Sequence, residues 1–176
     1  MKILDFPEFK QITKYDCGAC ALESVFAYYG KDILEEKIMK VAGTIPKTGT
    51  SVKGMMRAVK FFGFSGKLEI LNIEKLKKCI DKNKPVILRI QAWSDNKNNL
   101  WCKDKKHGHY VVVIGYDTEK FYFEDPWCHF RTCLRFDELF ERWHDVDVDG
   151  KEYINCGIII LRKRKKYNSK DIIHMD

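Results

Sequence analysis

The sequence predicts an α+β fold in which a helical N-terminal part packs on an antiparallel β-sheet. Apolar residues recur at helical spacing through the first half, β-rich runs fill the second, and those runs lie close enough in sequence to pair as neighbours. At 176 residues the chain has the length of one domain and can bury a sizeable core without staples. Neither an internal repeat nor a break in composition marks a second domain.

Leu22, Val25, Phe26 and Tyr29 share one helical face, so a first helix begins near Cys17 and stops at Gly30. Asp32 followed by Glu35 has the form of a capping box and opens a second helix carrying Leu34, Ile38 and Val41. A third, after Ser51, presents Val52, Met55, Met56 and Val59 and ends at Gly63; a fourth follows Asn72 with Ile73, Leu76, Cys79 and Ile80. Strands are expected at Pro85 to Ala92, His109 to Tyr116, Lys120 to Glu124 and Ile154 to Leu161. A short helix with Phe136, Leu139, Phe140 and Trp143 interrupts them before the last. The polar stretch from Ser94 to His107 reads as a loop bordering a cleft.

The formal net charge of +7 has no dedicated groove. Its densest basic run, Arg162 to Lys166, follows the last strand as a solvated tail, and no aromatic-plus-basic platform accompanies it, so nucleic acid is not an expected partner. No apolar run approaches the ~20 residues of a membrane helix, and Asp5 interrupts the start before a signal-peptide core forms. The expectation is a cytoplasmic protein with no membrane span. Seven cysteines, an odd number in a chain of this length, point to reduced thiols.

Candidate chemistry centres on two segments. Cys17 sits at a helix N-terminus, where unpaired N–H groups and the helix dipole favour an anion. Gln11, shortly upstream, can offer a side-chain amide to an oxyanion together with the Cys17 backbone N–H. His109 opens a strand of Val and Ile that reads as buried on both faces, which fixes its backbone as a general base requires. Asp125 ends the adjacent strand, stopped by Pro126, and its carboxylate can orient the imidazole.

Together these pieces closely resemble the double-glycine leader peptidase family, the bacteriocin-processing branch of the papain-like cysteine peptidases. The resemblance rests on Gln11, Asp16-Cys17-Gly18-Ala19, Tyr28-Tyr29-Gly30, Gly49-Thr50-Ser51 with Gly63, His109 to Val112, and Asp125-Pro126. Residue by residue it implies nucleophile Cys17, base His109, orienting Asp125 and oxyanion donor Gln11, acting without cofactor or metal on a peptide or protein substrate. Residues 1–161 are then a single papain-like peptidase domain and 162–176 a basic tail. Many relatives are N-terminal domains of exporters, whereas this sequence has neither membrane spans nor a Walker A loop, so a standalone member is expected.

Other constellations compete. Cys17 and Cys20 form a CxxC, the arrangement of a thiol-redox site, but the strand expected before it is replaced by the polar Lys10 to Asp16. Cys17, Cys20, Cys128, His129 and Cys133 are legitimate zinc ligands without standard spacing. Asp145, Asp147, Asp149 and Gly150 reproduce part of a calcium loop, yet Cys156 stands where a bidentate Glu belongs. The expected activity is hydrolysis of a peptide or related amide bond through an acyl-thioester on Cys17. The alternatives are an idle papain-like domain that binds a peptide or protein partner, and the thiol-redox protein.

Overall fold

In the computed structural model, which describes residues 1–96, 98–162 and 166–175, five helices and nine strands alternate in an α+β arrangement. The helices are α1 (Cys17–Tyr28), α2 (Glu35–Ala42), α3 (Val52–Phe61), α4 (Ile73–Asp81) and α5 (Phe136–Arg142). The strands are β1 (Lys2–Ile3), β2 (Gly66–Ile70), β3 (Val86–Gln91), β4 (Gly108–Tyr116), β5 (Lys120–Glu124), β6 (Thr132–Arg135), β7 (His144–Val146), β8 (Glu152–Ile154) and β9 (Cys156–Ile160). The main sheet runs β2-β9-β3-β4-β5-β6, with β1 joined to the far end of β4, and its pairings are antiparallel. β7 and β8 form a separate hairpin.

Local chemistry sets the helix ends. Ser51 accepts from the Gly54 N–H at 3.0 Å and Asn72 from the Lys75 N–H at 2.9 Å, each satisfying an orphan donor of the first turn. Asp32 does not act as a cap: the residue preceding α2 is Leu34, whose side chain cannot accept a hydrogen bond, and the helix relies instead on Glu35 and Glu36 in its first turn. Sequence periodicity also misses β1, β2, β6, β7 and β8, the last of which meets the expected Ile154 to Leu161 run only at Ile154. β2 and β6 are strands whose residues are half-buried or exposed, and they form as ladder partners of β9 and β5.

The pleat of β4 sorts the core into two layers. Tyr110 and Val112 face α1, which lies so close that a Cβ on Gly18 would stand 2.9 Å from the Thr50 Cβ and 3.1 Å from the Tyr110 ring. On the other face Phe121 of β5 meets Phe136 of α5 at a ring separation of 5.1 Å. Phe26, Leu22, Leu76, Ile80, Val112 and Phe121 are fully buried, and burying a side chain of this kind contributes about 1.5–3 kcal/mol. No helix among the described residues is long and apolar enough to cross a membrane. Within the basic run Arg162 to Lys166, residues 163–165 lie outside the described residues; Lys166 and Tyr167 donate backbone N–H groups to the Tyr28 carbonyl, each at 3.1 Å.

Candidate active site

The β4–β5 ladder ends at Val112↔Glu124, so His109 lies beyond the last paired residue, where the two strands part. Asp125 continues from β5 into that opening. Its Oδ1 lies 2.7 Å from His109 Nε2 and accepts the Trp127 N–H at 3.0 Å, while Oδ2 accepts from Thr132 Oγ1 and Trp93 Nε1, each at 3.2 Å. The carboxylate is 4 % exposed and the imidazole 7 %.

Cys17 is the first residue of α1, and its side chain acts on the His109 ring as one of the causes that raise the ring's pKa. With Nε2 engaged by Asp125, Nδ1 is the nitrogen left for the thiol. Burial pulls the His109 pKa down, but hydrogen bonds to Asp125 and Cys17 and their charges outweigh it and push the pKa up to about 10. Burial raises the Asp125 pKa, and the His109 hydrogen bond and charge reverse this, leaving the carboxyl below its ordinary value. The arrangement can therefore hold an imidazolium against the Asp125 carboxylate.

Gln11 is buried and tied to the same place by its backbone: its N–H donates to the Pro126 carbonyl at 2.9 Å, joining the loop before α1 to the turn after Asp125. Its Nε2 donates to the Thr13 carbonyl at 2.5 Å, which spends one of the two amide hydrogens. The structure thus hydrogen-bonds His109 to Asp125, sets Cys17 where it influences the His109 ring, and places Gln11 on the adjoining loop, without a direct bond to the three.

Two further residues hold this geometry without a role assigned to them from the sequence. Asp16, 1 % exposed, accepts on Oδ2 from the N–H groups of Thr13 at 2.9 Å and Ile12 at 3.2 Å, so it folds the Gln11 loop back onto the helix instead of capping it. Its position within Asp-Cys-Gly was the available clue. Trp93 occupies a left-handed backbone conformation at φ 61° in the loop after β3, and nothing in the sequence marks it.

The competing constellations come apart. His107 is turned to Asp104, with Nδ1 at 2.6 Å from Oδ2. Cys20 is fully buried, all seven cysteines are free, and burial with the nearby Glu124 charge pushes the Cys20 pKa up. Among the described residues no three His, Cys, Asp or Glu side chains gather as a metal site. The calcium-like segment is the β7–β8 hairpin, and its acids already have partners. Arg89 Nε lies 2.5 Å from Asp145 Oδ2 and Arg89 Nη1 3.2 Å from Asp147 Oδ1, while Asp147 Oδ2 accepts the Val52 N–H at 2.9 Å and Asp149 Oδ1 the Lys151 N–H at 3.1 Å. Gly108 permits this approach, since a Cβ there would overlap the Asp145 carboxylate.

A helix-opening cysteine set against a strand histidine, on an antiparallel sheet flanked by helices, defines the papain-like peptidase fold. The chain belongs to the Peptidase_C39 like family, whose profile matches residues 3–145. No curated protein sequence matches it. Among solved structures, it resembles the peptidase domain of Streptococcus ComA, a bifunctional ABC transporter involved in quorum sensing, at TM-score 0.66 and 23% identity, covering 88% of this chain and 97% of that one. It resembles a C39-like peptidase from Bacillus anthracis at TM-score 0.66 and 17% identity, covering 94% and 98%. A double-glycine motif protease of an AMS/PCAT transporter, solved in complex with its leader peptide, aligns at TM-score 0.65 and 20% identity over 90% and 94%. At these identities the likeness is one of fold.

Proposed function

We propose that this chain is a cysteine peptidase that cleaves a peptide bond through an acyl-thioester on Cys17. The observation that carries the reading is the position of the His109 ring, bonded through Nε2 to Asp125 at 2.7 Å, with the Cys17 side chain among the groups that raise its pKa. His109 takes the thiol proton, and the thiolate attacks the substrate carbonyl carbon. The tetrahedral oxyanion accepts from the Cys17 N–H and the remaining Gln11 amide hydrogen. As the C–N bond breaks, the imidazolium passes its proton to the leaving amine. Water then attacks the thioester, giving its proton to His109, and the thiol regains that proton as the acid leaves.

A peptide substrate is supported by the leader peptide bound to the AMS/PCAT relative. The burial of Cys20 weighs against the redox alternative, because a resolving thiol has to reach the disulfide it exchanges. The test compares cleavage of a peptide library with alkylation of the thiol. Cys17→Ala and His109→Ala should each abolish cleavage, His109→Ala should also slow alkylation of Cys17 at neutral pH, and His107→Ala and Cys20→Ser should leave both signals standing. Loss of thiol reactivity in His107→Ala but not in His109→Ala would assign the base wrongly. Peptide binding without cleavage by the parent would favour an idle binding domain.

A further inference from the structure

Beside Cys17 the surface opens into a cleft of about 400 Å³, walled by the segment from Pro46 to Thr50 on one side and by Lys105, Lys106, Gly108 and Tyr110 on the other. His109 is absent from this lining. The imidazole gives its proton to the leaving amine, so a cleft that holds Cys17 and excludes the ring belongs to the acyl half of the substrate.

The charges of the cleft do not cancel. Its acids, Asp145 and Asp147, are both held by Arg89, and Lys105 is paired with Glu152. Lys14, Lys47 and Lys106 remain, exposed and without an ion-pair partner among the described residues. A second observation points the same way. Tyr110 lines the cleft, is 3 % exposed, and has a buried hydroxyl with no hydrogen-bond partner among the described residues. A buried hydroxyl left unpaired costs about 1–3 kcal/mol, a penalty that an incoming acceptor removes. Burial pushes the Tyr110 pKa up, so the hydroxyl keeps its proton and serves as a donor.

We infer that this cleft selects an acidic side chain, Asp or Glu, in the residues just before the scissile bond. The carboxylate accepts from Tyr110 Oη, and Lys14, Lys47 and Lys106 supply its countercharge. The inference rests on the peptidase reading and adds to it a substrate class. Apolar residues enter the same cleft at the cost of leaving the hydroxyl unpaired, Gln accepts its hydrogen bond without the charge, and a Lys side chain meets like charge.

The experiment uses the full chain and a peptide library in which Glu, Gln or Lys is fixed at each residue before the scissile bond while the others are degenerate. At one such position kcat/KM should favour Glu over Lys by about tenfold or more, falling as salt is raised. Lys14→Glu, Lys47→Glu and Lys106→Glu combined, all exposed and compatible with folding, should reverse the preference, and Tyr110→Phe should narrow the Glu-to-Gln ratio. In parallel, fluorescent Glu and Lys peptides are titrated against Cys17→Ala. Equal cleavage and equal binding of the two would overturn the acidic pocket while leaving a peptidase. Preferential binding of Glu peptides with no cleavage by the parent would keep the pocket and overturn the peptidase. Absence of both binding and cleavage would overturn the two together.

Discussion

Trp93 donates its indole N–H to Asp125 Oδ2 at 3.2 Å, on the oxygen that His109 does not use. The indole thereby fixes the rotation of the carboxylate that in turn fixes the imidazole. Trp93→Phe keeps the ring and removes the donor, so the imidazole should spend less time aligned with the thiol. The expected result is a loss in kcat of up to about tenfold with KM nearly constant. A rise in KM alone would make Trp93 a substrate contact.

Asp125→Asn removes both the negative charge and the charge-assisted bond that hold the His109 pKa above its ordinary value. The imidazolium should then be lost at lower pH. In a pH–rate profile the alkaline limb of turnover should shift toward neutrality relative to the parent. An unmoved limb would mean that Asp125 does not govern the protonation of the ring.

Gln11→Ala tests the oxyanion assignment. Its amide is useful only when the tetrahedral oxyanion exists, so turnover should fall by about a hundredfold while alkylation of Cys17 by iodoacetamide, which forms no oxyanion, changes far less. Cleavage at the parental rate would reduce Gln11 to a loop residue.

Among the described residues Arg89 is the cation that ion-pairs with both Asp145 and Asp147, with side chains 13%, 3% and 3% exposed. Arg89→Met leaves both acids buried without it and should destabilise the fold by about 3–5 kcal/mol in urea unfolding. Adding Asp145→Asn and Asp147→Asn should recover a large part of the loss. A single variant as stable as the parent would show that water or local movement solvates the two acids.

Glu124 is buried under α1 and accepts from the Phe9 N–H at 3.2 Å, with Ser24 Oγ at 3.3 Å. Burial raises its pKa from 4.5 to about 8, so the folded protein holds the carboxyl neutral where the unfolded chain ionises it. This stability is fully present below pH 4.5 and is lost as pH rises through about 8. Glu124→Gln keeps the group neutral throughout. Its Tm should match the parent in acid and exceed it above pH 8, by about 2–4 °C for each kcal/mol recovered. A difference between the two proteins that does not change with pH would place the effect in packing instead of ionisation.

The sequence allowed the helices and most central strands to be read because their apolar residues follow the period of the element: α3, α4 and α5 each begin where Ser51, Asn72 or Phe136 announces them. β2 and β6 escaped because their residues alternate without full burial, and β2 in addition because its partner β9 lies far along the chain. At the site, Cys17, His109 and Asp125 were legible from residue type and flanking structure. Trp93 and Tyr110 were not. One acts through a backbone conformation that no local residue choice announces, and the other looks like ordinary strand filling until its hydroxyl is found without a partner. The acidic turn misled for the reverse reason: ligand-type spacing says nothing of Arg89, which arrives from a different strand.

The bond from the Gln11 N–H to the Pro126 carbonyl ties together segments from opposite ends of the matched family region. Closing such a loop is entropically costly and comes after local contacts have formed, so the surroundings of Cys17 are completed among the last events of folding. A chain still emerging during synthesis, or one whose sheet has opened, therefore carries a thiol without its imidazole partner. On the proposed peptidase reading, proteolytic competence is a property of the finished molecule, which protects unfinished copies and their neighbours from premature cleavage.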